Sequence, residues 1–121
     1  MEIKELTKAE MEIMKIIWEH GQVFLADIFS AMPDPRPAYP TVSTVVRVLV
    51  NKGFVRYESF SKYNRYEAAV SKEDYTHRAI ERMKRDLFGG SLSNMVSFFA
   101  KSEEISEQER SELQAMLSEE N

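Results

Sequence analysis

Tyr39-Pro40-Thr41-Val42-Ser43-Thr44-Val45-Val46-Arg47-Val48-Leu49-Val50-Asn51-Lys52-Gly53 is the stretch that decides the fold. Pro40 suits the first turn of a helix, and Gly53 suits the residue just past its end. A helix over 40–52 has two unlike faces. At the helical period Val42, Val45, Val46 and Leu49 fall within an arc of roughly 100°. Pro40, Ser43, Thr44, Arg47 and Asn51 fall opposite. A helix that enters the major groove of duplex DNA needs this division: a solid apolar back, and a front of short polar groups with a cation. Ser43 and Thr44 let the backbone approach. Arg47 fits guanine or a phosphate, and Tyr39 and Ser43, near the helix start, can reach phosphate oxygens; Pro40 lies beside them on the DNA-facing side. An ordinary amphipathic surface helix is the competing reading of the same residues.

On the N-terminal side, Thr7-Lys8-Ala9-Glu10 reads as a capping box that opens a helix. Met11, Met14, Ile17 and Trp18 form its apolar side, and Gly21 is placed to end it. Val23 to Met32 reads as a second, short helix with Ala26, Ile28 and Phe29 inward. Pro33-Asp34-Pro35-Arg36-Pro37 cannot be helix interior and reads as a stiff connector. Beyond Gly53 the period changes. Phe54, Val55, Tyr57, Tyr63, Arg65 and Tyr66 look like strands, with Ser59 to Asn64 as the hairpin tip. Three helices and a hairpin within residues 1–70 are the layout of a winged helix-turn-helix. Lys62 and Arg65 then fall where the wing meets the DNA backbone or minor groove.

Residues 71–121 read as helical. Ser71-Lys72-Glu73-Asp74 opens a helix whose stripe is Tyr75, Ala79, Ile80, Met83 and Leu87, and Gly89-Gly90 breaks it. In the next segment Leu92, Met95, Val96, Phe98 and Phe99 lie nearly all round, so it must be buried on several sides. Ser106 to Glu109 is a further capping box, followed by Leu113, Met116 and Leu117. These apolar residues are expected to join two copies of the chain. The expected fold is mainly α with a small β-wing: a winged-helix DNA-binding domain over 1–70 and a helical dimerisation region over 71–121.

Composition fits this reading. Of 121 residues 43% are hydrophobic and 30% charged, a soluble globular balance. No apolar run approaches the roughly 18–20 residues of a membrane helix, and no secretory signal is visible. With no cysteine there is no disulfide framework, thiolate metal site or cysteine nucleophile, which fits a cytoplasmic location. The net charge of −4 hides a local excess. Arg36, Arg47, Lys52, Arg56, Lys62 and Arg65 face only Glu58 between residues 36 and 66, and DNA responds to charge near its phosphates. A solvated basic surface is the other reading of that stretch. His20 and His77 have no ligand spacing, and no phosphate loop or nucleophile motif occurs, so neither an enzyme nor a metal site is expected.

Several stretches together resemble the penicillinase and methicillin-resistance repressors, whose relatives include copper-responsive operon repressors. They are Leu6-Thr7-Lys8-Ala9-Glu10-Met11-Glu12-Ile13-Met14 with Trp18, Tyr39 to Val45, Arg47 to Val55, and Arg65-Tyr66-Glu67-Ala68. Phe88-Gly89-Gly90-Ser91-Leu92 and Phe99-Ala100-Lys101 extend the match over almost the whole chain. The resemblance implies a cytoplasmic homodimer that binds a dyad-symmetric operator in double-stranded DNA and represses transcription without a cofactor. It also implies a partner for the β-lactam branch, a membrane sensor-protease system that leads to cleavage at an Asn-Phe bond. The corresponding pair here is Phe98-Phe99, which lacks the asparagine. The copper branch carries a C-terminal cysteine motif, which this chain lacks. The alternative to a repressor is a winged-helix protein–protein interaction module without DNA binding.

Overall fold

A computed structural model describes residues 5–119, without the side chains of Leu117 and Glu119. The elements are α1 (Lys8–His20), β1 (Val23–Phe24), α2 (Leu25–Ala31), α3 (Tyr39–Asn51), β2 (Val55–Phe60), β3 (Tyr63–Ala68), α4 (Lys72–Phe88), α5 (Leu92–Lys101) and α6 (Glu107–Glu119). The fold is mainly α with a small antiparallel sheet, in strand order β1-β3-β2.

The helix starts follow from local hydrogen bonds. The Glu10 amide donates to Thr7 Oγ1 at 3.2 Å, and Glu10 Oε1 accepts from the Thr7 amide at 2.9 Å. The Asp74 amide donates to Ser71 Oγ at 3.0 Å. Ser106 and Glu109 form a full reciprocal box, each amide 3.1 Å from the other's side chain. Such caps satisfy amides that have no partner within the helix. At the far end of α1, Gly21 takes φ +84° and its amide returns to the Ile17 carbonyl, a conformation that costs other residues more.

One expected element divides in two. Residues 23–32 are not a single helix. Val23 and Phe24 pair with Tyr66 and Arg65 of β3, and α2 begins only at Leu25. The Phe24 amide donates to Asp27 Oδ2 at 3.0 Å, so Asp27 closes the start of α2 from its third residue. The hairpin tip is also tighter than Ser59–Asn64. Phe60 pairs with Tyr63, which leaves Ser61-Lys62 as a two-residue turn, with Ser61 at the positive φ such turns require.

The core of this region joins Ile13, Met14, Ile16 and Ile17 of α1 to Val23, Ile28, Met32, Val42, Val46, Leu49, Phe54 and Val55. The α1 face is broader than expected: Ile13 and Ile16 go fully inside, and Trp18 packs at the margin. Each such side chain contributes roughly 1.5–3 kcal/mol on burial. Tyr75, in the first turns of α4, closes the same core. Its ring lies 5.9 Å from Trp18 and 6.0 Å from Phe54, and its hydroxyl accepts from the Leu6 amide at 3.2 Å. Accordingly the first compact unit ends at Arg78, and the second begins at Ala79 within the same helix.

The second unit contains the rest of α4 with α5 and α6. α4 ends at Phe88, where Gly89 and Gly90 both take positive φ. Met95 is its one fully buried apolar side chain among the described residues. Leu87, Leu92, Phe98, Phe99 and Met116 stay exposed, so the burial on several sides expected for 91–100 does not occur within one chain. Leu117, expected at the same contact, has its side chain outside the described residues.

Candidate nucleic-acid interface

α3 sorts its side chains as its sequence requires. Val42, Val46 and Leu49 are no more than 1% exposed, and Val45 is half-buried. On the opposite side Tyr39, Pro40, Thr44 and Arg47 are exposed, and Ser43 is half-buried. Thus five of the expected residues share one face of one helix. Lys62 and Arg65 sit on a separate element, the β2–β3 hairpin, and only Lys62 lies at its tip.

The chemistry these side chains offer differs in detail from expectation. Thr44 Oγ1 donates to the Pro40 carbonyl one turn back, at 3.0 Å. Its hydrogen is therefore engaged, and Thr44 presents its methyl group and an oxygen lone pair to the outside. That combination suits the methyl of thymine or the amino group of adenine or cytosine. Tyr39 is held by an edge-on contact to Phe29, with ring centroids 5.1 Å apart. Arg47 makes no ion pair or hydrogen bond among the described residues and projects from the middle of the exposed face.

The six basic residues of 36–66 do not contribute equally. Lys52 Nζ is 2.7 Å from Glu10 Oε2, Arg56 Nε is 2.9 Å from Glu67 Oε1, and Arg65 Nη2 is 3.5 Å from Glu58 Oε2. The guanidinium of Arg65 also lies over the Phe60 ring at 4.4 Å, so its own hairpin occupies it. Among the described residues Arg36, Arg47 and Lys62 have no carboxylate partner. They are the cations left for an anion outside the chain.

Nothing local in the sequence pairs Lys52 with Glu10, which lie 42 positions apart. The pair ties the end of α3 to the start of α1. Burial pushes the Glu10 carboxyl up, but the Lys52 ammonium and the Thr7 groups outweigh this and hold it below its usual value. Half-buried Glu67 is likewise held below its usual value, by Arg56 first and then Gln22.

No group of three or more His, Cys, Asp or Glu among the described residues is placed to hold a metal ion. No described helix is long and apolar enough to cross a membrane.

The family described as Penicillinase repressor matches residues 6–119. The chain is 25% identical to the penicillinase repressor of Bacillus licheniformis over 118 residues, covering 97% of this chain and 92% of that one. It is 26% identical to the methicillin resistance regulatory protein MecI of Mammaliicoccus sciuri over 114 residues, or 93% of each. Its fold is similar to that of Bacillus licheniformis BlaI, solved in monomeric form with the blaP half-operator. There the TM-score is 0.52 and the identity 23%, over 60% of this chain and 90% of that one. The chain belongs to the penicillinase repressor family of winged-helix transcriptional repressors.

Proposed function

We infer that the chain represses transcription as a homodimer on dyad-symmetric duplex DNA, with one α3 in a major groove of each half-site. The observation that carries this reading is the division of α3. Tyr39, Pro40, Thr44 and Arg47 stand exposed on a helix on whose opposite face Val42, Val46 and Leu49 are no more than 1% exposed. A rigid back fixes where the front groups point, and a groove-reading helix depends on that. A relative solved with a half-operator supports the same reading. Ser43, Thr44 and Arg47 face the bases, Tyr39 and Pro40 the adjoining backbone, and Lys62 the backbone beside the wing tip. Arg65 chiefly stiffens that wing.

The second unit, residues 79–121, supplies the dimer contact. It leaves Leu92 57%, Phe98 62% and Met116 62% exposed, too much apolar surface for so small a unit to leave in water. Between α5 and α6 a groove of about 280 Å³ is lined by Val96, Phe99, Ile105, Leu113 and Met116, with Glu109 and Glu112 also on its wall. A second copy covers this surface in an isologous contact. Pairing two modules raises affinity because the second binds at high effective concentration. The Phe98–Phe99 bond lies inside α5, so cleavage there by a sensor-protease system requires α5 to unwind first. The protein acts in the cytoplasm and performs no chemical step of its own.

The test is equilibrium binding of the full chain to duplex DNA from upstream of its own gene and to a scrambled duplex. Binding that weakens steeply with salt is expected, with the upstream duplex preferred. A chain that binds neither at low salt is the interaction module instead.

A further inference from the structure

Arg36 belongs to the basic stretch 36–66 but to neither the exposed face of α3 nor the wing; it lies in the connector between α2 and α3. Its guanidinium carbon stands 4.9 Å from the centroid of the Phe29 ring. Tyr39, the first residue of α3, meets the same ring edge-on at 5.1 Å. Arg36 Nη2 reaches the Ser30 carbonyl only at 3.5 Å, the outer limit of a hydrogen bond. No carboxylate among the described residues pairs with it. The structure thus gives this cation a direction but no counter-charge. Pro35 and Pro37 on either side narrow the backbone freedom of the connector.

An arginine stacked on an aromatic ring keeps its planar donors available along the edge, and less freedom remains to be lost when it grips an anion. The shared ring places Arg36 beside the start of the helix that carries Thr44 and Arg47. The unpaired cations of this region are Arg36, Arg47 and Lys62, in contrast to the carboxylate-paired Lys52, Arg56 and Arg65.

We propose that Arg36, preordered on Phe29, binds a DNA phosphate flanking the groove that α3 occupies. This rests on the reading of α3 as the major-groove helix. The ligand is a phosphodiester oxygen, so the contact adds affinity for any duplex and does not read sequence.

The experiment is a salt titration of binding by the full chain, on the upstream duplex and on a scrambled one, with melting curves as a check on folding. Arg36→Ala should reduce the slope of log K against log salt by about 0.9 per subunit. It should also weaken both duplexes by the same factor, about eightfold per subunit at 0.1 M salt from counterion release alone. Arg36→Lys should restore the slope. Phe29→Leu should keep the slope and lower affinity for both duplexes, because the charge remains but is no longer held. An Arg36→Ala protein with wild-type slope and affinity overturns the proposal, leaving Arg36 as a cover for Phe29. A loss confined to the upstream duplex overturns it too, since that is base reading. A wild-type chain that binds no duplex refutes the groove reading of α3 itself, a different failure from a bound wild type with an indifferent Arg36.

Discussion

Replacing Lys52 with methionine should cost the fold far more than replacing Glu10 with glutamine, although each removes one half of the same ion pair. The two side chains are unequally exposed, 26% for Lys52 and 6% for Glu10. Without the ammonium, the Glu10 carboxylate stays in place with the Thr7 amide as its remaining close donor. Removing one partner of a buried pair costs about 3–5 kcal/mol. The carboxylate can also escape by taking a proton, at a cost of about 3.7 kcal/mol at pH 7 for an ordinary glutamate. With the Thr7 bond kept, we expect roughly 3 kcal/mol for Lys52→Met at pH 7. In Glu10→Gln the amide oxygen still accepts and the ammonium can rehydrate, so about 1 kcal/mol is expected. The pH dependence separates the two causes. In the wild type Glu10 is held below its usual value, so its contribution is full above about pH 4.5 and fades as pH falls further. In Lys52→Met only the Thr7 groups still oppose burial, so the carboxyl rises from its wild-type position and the deficit should shrink as pH falls from 7 to about 5. The assay is urea unfolding at both pH values and one protomer concentration, comparing midpoints at constant slope. Equal costs for the two variants, or a Lys52→Met deficit unchanged at pH 5, would mean that Glu10 is not left as a buried, unpaired carboxylate.

Leu49→Ala should destabilise the fold by roughly 2–5 kcal/mol, because a fully buried side chain leaves a cavity, whereas Arg47→Ala should stay within about 0.5 kcal/mol. Similar urea midpoints for the two would mean that α3 is not sorted as described. Phe98→Asp should convert a dimer to a monomer in sedimentation at micromolar concentration, and a full-length wild type that sediments as a monomer would remove the proposed contact. In the wing, Lys62→Ala should weaken specific and scrambled duplexes alike. Arg65→Ala should mainly lower thermal stability, through loss of its Phe60 stack and Glu58 pair. An effect of Lys62→Ala on base preference would place the wing against base edges.

What the sequence made legible was local. The capping boxes at Thr7 and Ser106 and the break at Gly89-Gly90 depend on residues within four of one another. The division of α3 depends only on the helical period. What it hid was set by distant partners. β1 is two residues long and exists because Val23 and Phe24 meet Tyr66 and Arg65, more than 40 positions away, so Val23 looked like the start of α2. Glu10 reads as a cap and Lys52 as a surface cation until α1 and α3 pack together and join them across 42 positions. Arg65 looked like a free wing cation because its partner depends on register. Once the turn contracts to Ser61-Lys62, Arg65 falls opposite Glu58 and is occupied. Arg36 was counted as charge but not placed, since nothing in a proline-rich connector shows that Phe29 lies beneath it. On α5 the apolar residues were recognised, but within one chain only Met95 is fully covered.

The central claim is that the exposed face of α3 reads DNA sequence, and one protein tests it most directly: Ser43, Thr44 and Arg47 all replaced by alanine. Its affinity is measured on the preferred duplex and on a scrambled one, beside its melting temperature. A folded dimer that still binds both duplexes through the phosphate contacts is expected, with the preference largely lost. Each lost bidentate base contact should remove on the order of 1–3 kcal/mol of discrimination. A folded triple variant that still prefers its duplex as strongly as the wild type would contradict the account, because sequence would then be read somewhere other than α3.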